Sequence, residues 1–150
     1  MSGIIGGAGT EIIRSAHFED IDSTAATLIF GVQHHIYTVL SVSIYANAVN
    51  AAGDYFQLYL LGYDVTGGTT AQNIYLFNQD FNQYQTFVWN DKFSFNGHEP
   101  TDFTATLDSV AKQDAIADQG SSVAQKLIAV AEHASDSFEV HITFIDQNNA

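Results

Sequence analysis

Cysteine is absent, proline occurs once, and basic residues number only four. The lack of cysteine excludes disulfides and thiolate metal sites and leaves the redox compartment unread. Arg14, Lys92, Lys112 and Lys126 stand against 17 acidic residues, for a formal net charge of −13. A protein that grips nucleic acid needs a basic footprint to neutralise phosphates, so nucleic acid is not expected as a direct partner. The same sign disfavours an anionic membrane surface. No stretch approaches the roughly 18 apolar residues of a membrane-spanning helix. The first residues lack the basic start and long apolar core of a secretory signal, so neither a membrane partner nor export by that route is expected. Charge of either sign is scarce at 14% of residues, against about a quarter in ordinary domains. Asn, Gln, Ser and Thr must therefore supply much of the wet surface, as is common in proteins buried inside assemblies.

What remains is apolar and aromatic, 46% and 13% of the 150 residues. That is enough for one domain with a core, and it is not the composition of a disordered chain. The segment Ile36–Leu61 organises the rest. In Ile36–Asn47, Leu40, Val42 and Ile44 alternate with Ser41, Ser43 and Tyr45. In Asp54–Leu61, Phe56, Leu58 and Leu60 alternate with Gln57, Tyr59 and Leu61. Period-two alternation puts one set on a covered face and the other towards solvent. Phe138, Val140, Ile142 and Phe144 repeat the pattern near the end of the chain. Seven or eight such segments at close spacing predict an all-β chain, a single antiparallel β-sandwich or jelly-roll-like domain.

Other segments depart from the strand pattern. Met1–Gly9 carries four glycines, and glycine makes regular structure entropically costly. Residues 1–15 are accordingly read as a flexible arm ahead of a β domain over 16–150. Ile4, Ile5, Ile12 and Ile13 are its apolar contact residues. Leu107, Val110, Ala111 and Ala115 follow helical spacing, with Thr106 or Asp108 as cap and Gly120 as stop. They predict one short helix inside an insertion over 100–125. Ser122–Ala134 fits either a helix or a strand. The strand is preferred, with Leu127–Glu132 forming a hairpin with the final strand through His133–Ser137.

Chemistry-bearing motifs are few. There is no Gly-x-Ser-x-Gly elbow and no phosphate-cradling glycine loop, so no catalytic residues, enzymatic activity or cofactor is expected. Asp20 and Asp22 point the same way in an extended chain and are the candidates for a hard cation, or simply a solvated acidic turn. Zinc needs three or four converging ligands. His34 and His35 are adjacent and face opposite sides, while His133 and His141 approach only if the last hairpin forms, so the histidines read as polar surface. The tyrosines exceed what one small core holds. Tyr45 and Tyr59, with Trp89, are the candidate interface aromatics, a signal of binding or assembly.

The segments MSGIIGGAG, TAATLIFGV and HHIYTVLSVSIYANAVNAAGDYFQLYL, with QKLIAVAEH and DSFEVHITFIDQ at the end, resemble small β-sandwich proteins of tailed bacteriophages, particularly marine ones. The likeness lies in apolar strand patterns and turns over 25–95 and 126–147, and the stretch 100–125 departs from it. It implies a virion structural protein on the capsid surface, a head decoration or cement protein. Its partner would be the major capsid protein, its form a homotrimer. A carbohydrate- or receptor-binding module of a tail or head fibre is the alternative implied.

Overall fold

The computed structural model describes residues 10–64, 66–100, 106–117 and 122–149. In chain order the strands are β1 (Thr10–Ile21), β2 (Ala26–Phe30), β3 (His35–Ala48), β4 (Asp54–Asp64), β5 (Thr69–Phe81), β6 (Thr86–Trp89), β7 (Phe93–Asn96) and β8 (His98–Pro100). A short helix α1 (Val110–Ala117) follows, then β9 (Ser122–Ala124), β10 (Lys126–Ala131) and β11 (Ser137–Asn148). One sheet runs β1-β11-β3, with β6 and β7 sharing the far side of β3; the other runs β2-β10-β4-β5. The paired strands are antiparallel. The chain is an all-β sandwich. The first four strands alternate between the sheets, and the last two slot between them, the order of a jelly roll.

The core lies between the sheets. Val42, Ile44 and Ala46 of β3 and Phe138, Val140 and Ile142 of β11 meet Phe56, Leu58, Leu127 and Ala129 from the facing sheet, all fully buried. Phe138 sits 5.0 Å from Phe56 and 5.2 Å from Phe81, ring centroid to ring centroid, so one aromatic cluster rivets the two layers. Offset and edge-on pairs of this kind add to the area they bury.

The alternation read from Phe138–Phe144 matches the buried face of β11. In β3 it changes phase. Thr143 pairs with Ser41 but Phe144 pairs with Val39, which leaves Leu40 as the extra residue of a β-bulge. Tyr37 and Val39 therefore join Val42 and Ile44 in the core, and Leu40 is only half-buried. A bulge adds one residue to one strand and shifts its parity.

Three expectations need correction. The arm expected over 1–15 does not extend that far. Residues 10–15 belong to β1 and pair with β11, Ile12 opposite Asp146 and Ile13 opposite Ile145, because their backbone finds a ladder there. Lys126–Ala131 is a strand, but it pairs with β2 and β4, not with β11. The loop after it changes sheets, held by the buried Asp136, whose carboxylate accepts the N–H groups of His133 and Asn50 at 2.9 and 2.7 Å. The helix forms, but Leu107 and Val110 are exposed at 42% and 75%, so no apolar face packs through them. Its cap is Ser109, which accepts the Lys112 N–H at 3.2 Å.

The excursion between strands β7 and β10 is closed at its neck by β8 pairing with β9. Gly97 and Gly31 sit at this neck. Gly31 N–H bonds to Gln125 C=O, Gln125 N–H to Gly97 C=O, and Gly97 N–H to His35 C=O, at 2.7–2.8 Å. A Cβ on Gly97 would run into the backbone of Val32.

Candidate functional site

Strands β1 and β2 are the edges of their sheets on the same side of the molecule, so the sandwich opens between them. The opening is a cleft of about 350 Å³. Its floor is apolar, built from Leu28, Ile29, Tyr37 and Phe144, all buried.

A polar set crosses this floor. His35 Nδ1 lies 2.6 Å from Asp146 Oδ1, joining the start of β3 to the end of β11. The Arg14 guanidinium comes from β1, 3.6 Å from the other oxygen of Asp146, and lies over the Phe144 ring at 5.8 Å. The Tyr37 hydroxyl accepts the Val32 N–H at 3.1 Å, fixing the turn that leads into β3. Burial raises the Tyr37 pKa above the ordinary phenol value, and the Asp146 charge adds to this, while the Val32 hydrogen bond and Arg14 oppose it. Tyr37 is thus held as a neutral anchor.

The rim is apolar and wet. Phe30 is 59% exposed, Val32 50%, and Ile12 38%. Ile12 pairs with Asp146 in the ladder, so the two side chains share the sheet face that borders the cleft. Ile13 points the other way, beside Ile145, and is 71% exposed. Lys126 lies 4.9 Å from the centroid of the Phe30 ring, a cation–π contact that orients the ring without covering it. Among the described residues, the free edges of β1 and β2 face no further strand. Apolar side chains beside an unpaired strand edge form a template for a partner segment.

The broad outer faces have a different character. The outer face of the β1-β11-β3 sheet carries Ser15, Thr143 and Ser41 in one register row and His17, His141 and Ser43 in the next. The opposite face of the molecule presents Tyr59 and Tyr75, with ring centroids 5.7 Å apart. Burial, aided by Tyr75, raises the Tyr59 pKa above the ordinary phenol value, so Tyr59 stays a neutral hydrogen-bonding group.

The residues singled out from the sequence are dispersed over this frame. Ile4 and Ile5 lie outside the described residues. Ile12 and Ile13 flank the cleft edge. Tyr59 stands on the tyrosine face, and Tyr45 is half-buried on the hydroxyl-rich face opposite Glu139. Trp89 is half-buried and packs inward, 5.3 Å edge-on from Phe77 and 5.3 Å stacked on Phe93, with its Nε1–H on Asp91. Asp20 and Asp22 are engaged separately. Asp20 accepts the Ser137 hydroxyl at 3.1 Å, and Asp22 accepts the Thr24 N–H at 2.8 Å.

Arg14, Phe30, Val32, Tyr37 and Asp146 were not singled out as site residues by sequence reasoning, and His35 was read as polar surface. The apolar run Leu28-Ile29-Phe30 was visible, but nothing local marks His35 and Asp146 as partners. The chain matches no protein-family model and no curated protein.

Proposed function

We propose that this chain is a non-catalytic structural protein of a virus particle, a decoration protein that docks on the shell across subunit junctions. The observation that carries the reading is the set of exposed apolar side chains along an unpaired strand edge, Ile12, Phe30 and Val32 at the cleft rim and Ile13 on the outer face of the same strand. Fully covering one such side chain is worth about 1.5–3 kcal/mol, so four make a useful docking increment even after ordering costs. The sequence resemblance to small phage sandwich proteins supports the same reading. The partner proposed is the major capsid protein, with self-association into a trimer. The test is co-sedimentation with empty shells. Wild type is expected to pellet with the shells and the double variant Ile13→Ser/Phe30→Ser to stay in the supernatant. Equal binding of both would overturn the reading.

The Tyr59–Tyr75 pair favours a second reading, a fibre module that binds carbohydrate by stacking sugars on exposed rings. Loss of glycan binding in Tyr75→Ala, with shell binding intact, is the outcome that would select it.

A further inference from the structure

Four side chains stand in a two-by-two array on the outer face of the sheet at its β1 edge. His17 of β1 is in register with His141 of β11, their rings 5.8 Å apart. One step along the same face, Glu19 follows His17 and Glu139 precedes His141. His17 Nε2 lies 3.4 Å from Glu139 Oε1 and 3.9 Å from Glu19 Oε1. One ligand atom from each of the three residues falls within 4.8 Å of the other two.

We infer that His17, Glu19 and Glu139 form a binding site for a divalent cation of the zinc class. Tetrahedral zinc with bonds of about 2.0–2.2 Å holds its ligand atoms roughly 3.3–3.5 Å apart. The side chains reach that spacing by small torsional movements, since all three are partly exposed, at 46%, 69% and 32%. The donor set is mixed. An imidazole with two carboxylates suits zinc and its neighbours in the first transition row, whereas calcium and magnesium prefer all-oxygen shells. A second observation points the same way. Carboxylates brought together on neighbouring strands repel one another. Arg14, the basic side chain of β1 itself, is committed elsewhere, to Asp146 on the inner face. Among the described residues, His17 is the one basic side chain found within 4.0 Å of Glu19 or Glu139. A divalent ion would neutralise both carboxylates at once. Three protein donors leave one tetrahedral position open, and His141 stands next to it. The site would clip the edge strand β1 to β11 without touching the cleft rim, so it stands or falls apart from the docking role.

The test is calorimetric titration of zinc chloride into the metal-stripped full chain, made without a histidine tag. Saturable binding of one ion is expected, unaffected by excess magnesium. His17→Ala and Glu139→Gln should each weaken it by about tenfold or more. The surface variant His34→Asn, which keeps a residue tolerant of that position's positive φ of 68°, should bind as wild type does. Thermal melting without metal should show a cooperative transition for all four proteins, since the altered side chains are on the surface. No saturable zinc binding, or binding undiminished in both His17→Ala and Glu139→Gln, would overturn the assignment.

Discussion

His35 and Asp146 are 111 residues apart in sequence, and their side chains meet at 2.6 Å. The contact fastens the first residue of β3 to the end of β11, and Arg14 extends it to β1. Three strands of one sheet are therefore tied together at the floor of the cleft, beneath the apolar rim. The rim can serve as a docking surface only if this floor is rigid.

That tie is measurable. Asp146→Ala should lower stability by about 1–3 kcal/mol, since it removes the acceptor of a charge-assisted hydrogen bond. In a double-mutant cycle with His35→Ala, urea unfolding should show coupling of about 0.5–3 kcal/mol between the two sites. Strictly additive costs would mean that the contact contributes nothing.

Asp54 and Asp136 make a second long-range pair, both buried, one from the start of β4 and the other from the loop entering β11. Burial, together with a hydrogen bond to Asp136, raises the pKa of Asp54 above the ordinary carboxylate value. A raised carboxyl binds its proton more tightly in the folded chain than in the unfolded one. The stabilisation is complete below the ordinary carboxylate pKa of about 3.9 and is lost as pH rises through the elevated value. Wild type should therefore lose stability relative to Asp54→Asn as pH climbs through that window. Urea midpoints that stay parallel for the two proteins across the window would contradict the assignment.

Gly97 is required for space. Its added methyl would meet the Val32 backbone, which cannot swing aside as a side chain can. Gly97→Ala should cost about 1–3 kcal/mol or more, as overpacking does, and should loosen the turn into β3. Gly53 is glycine for a different reason, a φ of 88° with open space around it. Gly53→Asn should be far milder, because Asn tolerates the left-handed region. Thermal melts of the two variants compare these causes directly.

How much of this was legible beforehand depends on the range of the interaction. Phe138–Phe144 announced itself because alternation is a property of neighbours. Val42 and Ile44 did too, but Leu40 was assigned to the wrong face, since a bulge depends on the partner strand's register. Lys126–Ala131 was recognisable as a strand, yet its partners were not, because pairing is decided by tertiary packing. The helical spacing of Leu107, Val110 and Ala111 gave the helix but not the missing cover over its apolar residues. At the candidate site the apolar side chains Ile12 and Ile13 were visible, although as part of an arm and not as members of strand β1. The polar floor of Arg14, His35 and Asp146 was invisible, because its members come from three strands distant in sequence.

The central claim is that the β1–β2 edge is the surface this chain uses on its neighbours. Amide hydrogen exchange of the free chain against the chain bound to shells tests it most directly. The account predicts new protection concentrated in Thr10–Ala16 and Ala26–Val32, with the Tyr59–Tyr75 face unchanged. Protection confined to the tyrosine face, with those two segments exchanging as freely as before, would contradict it.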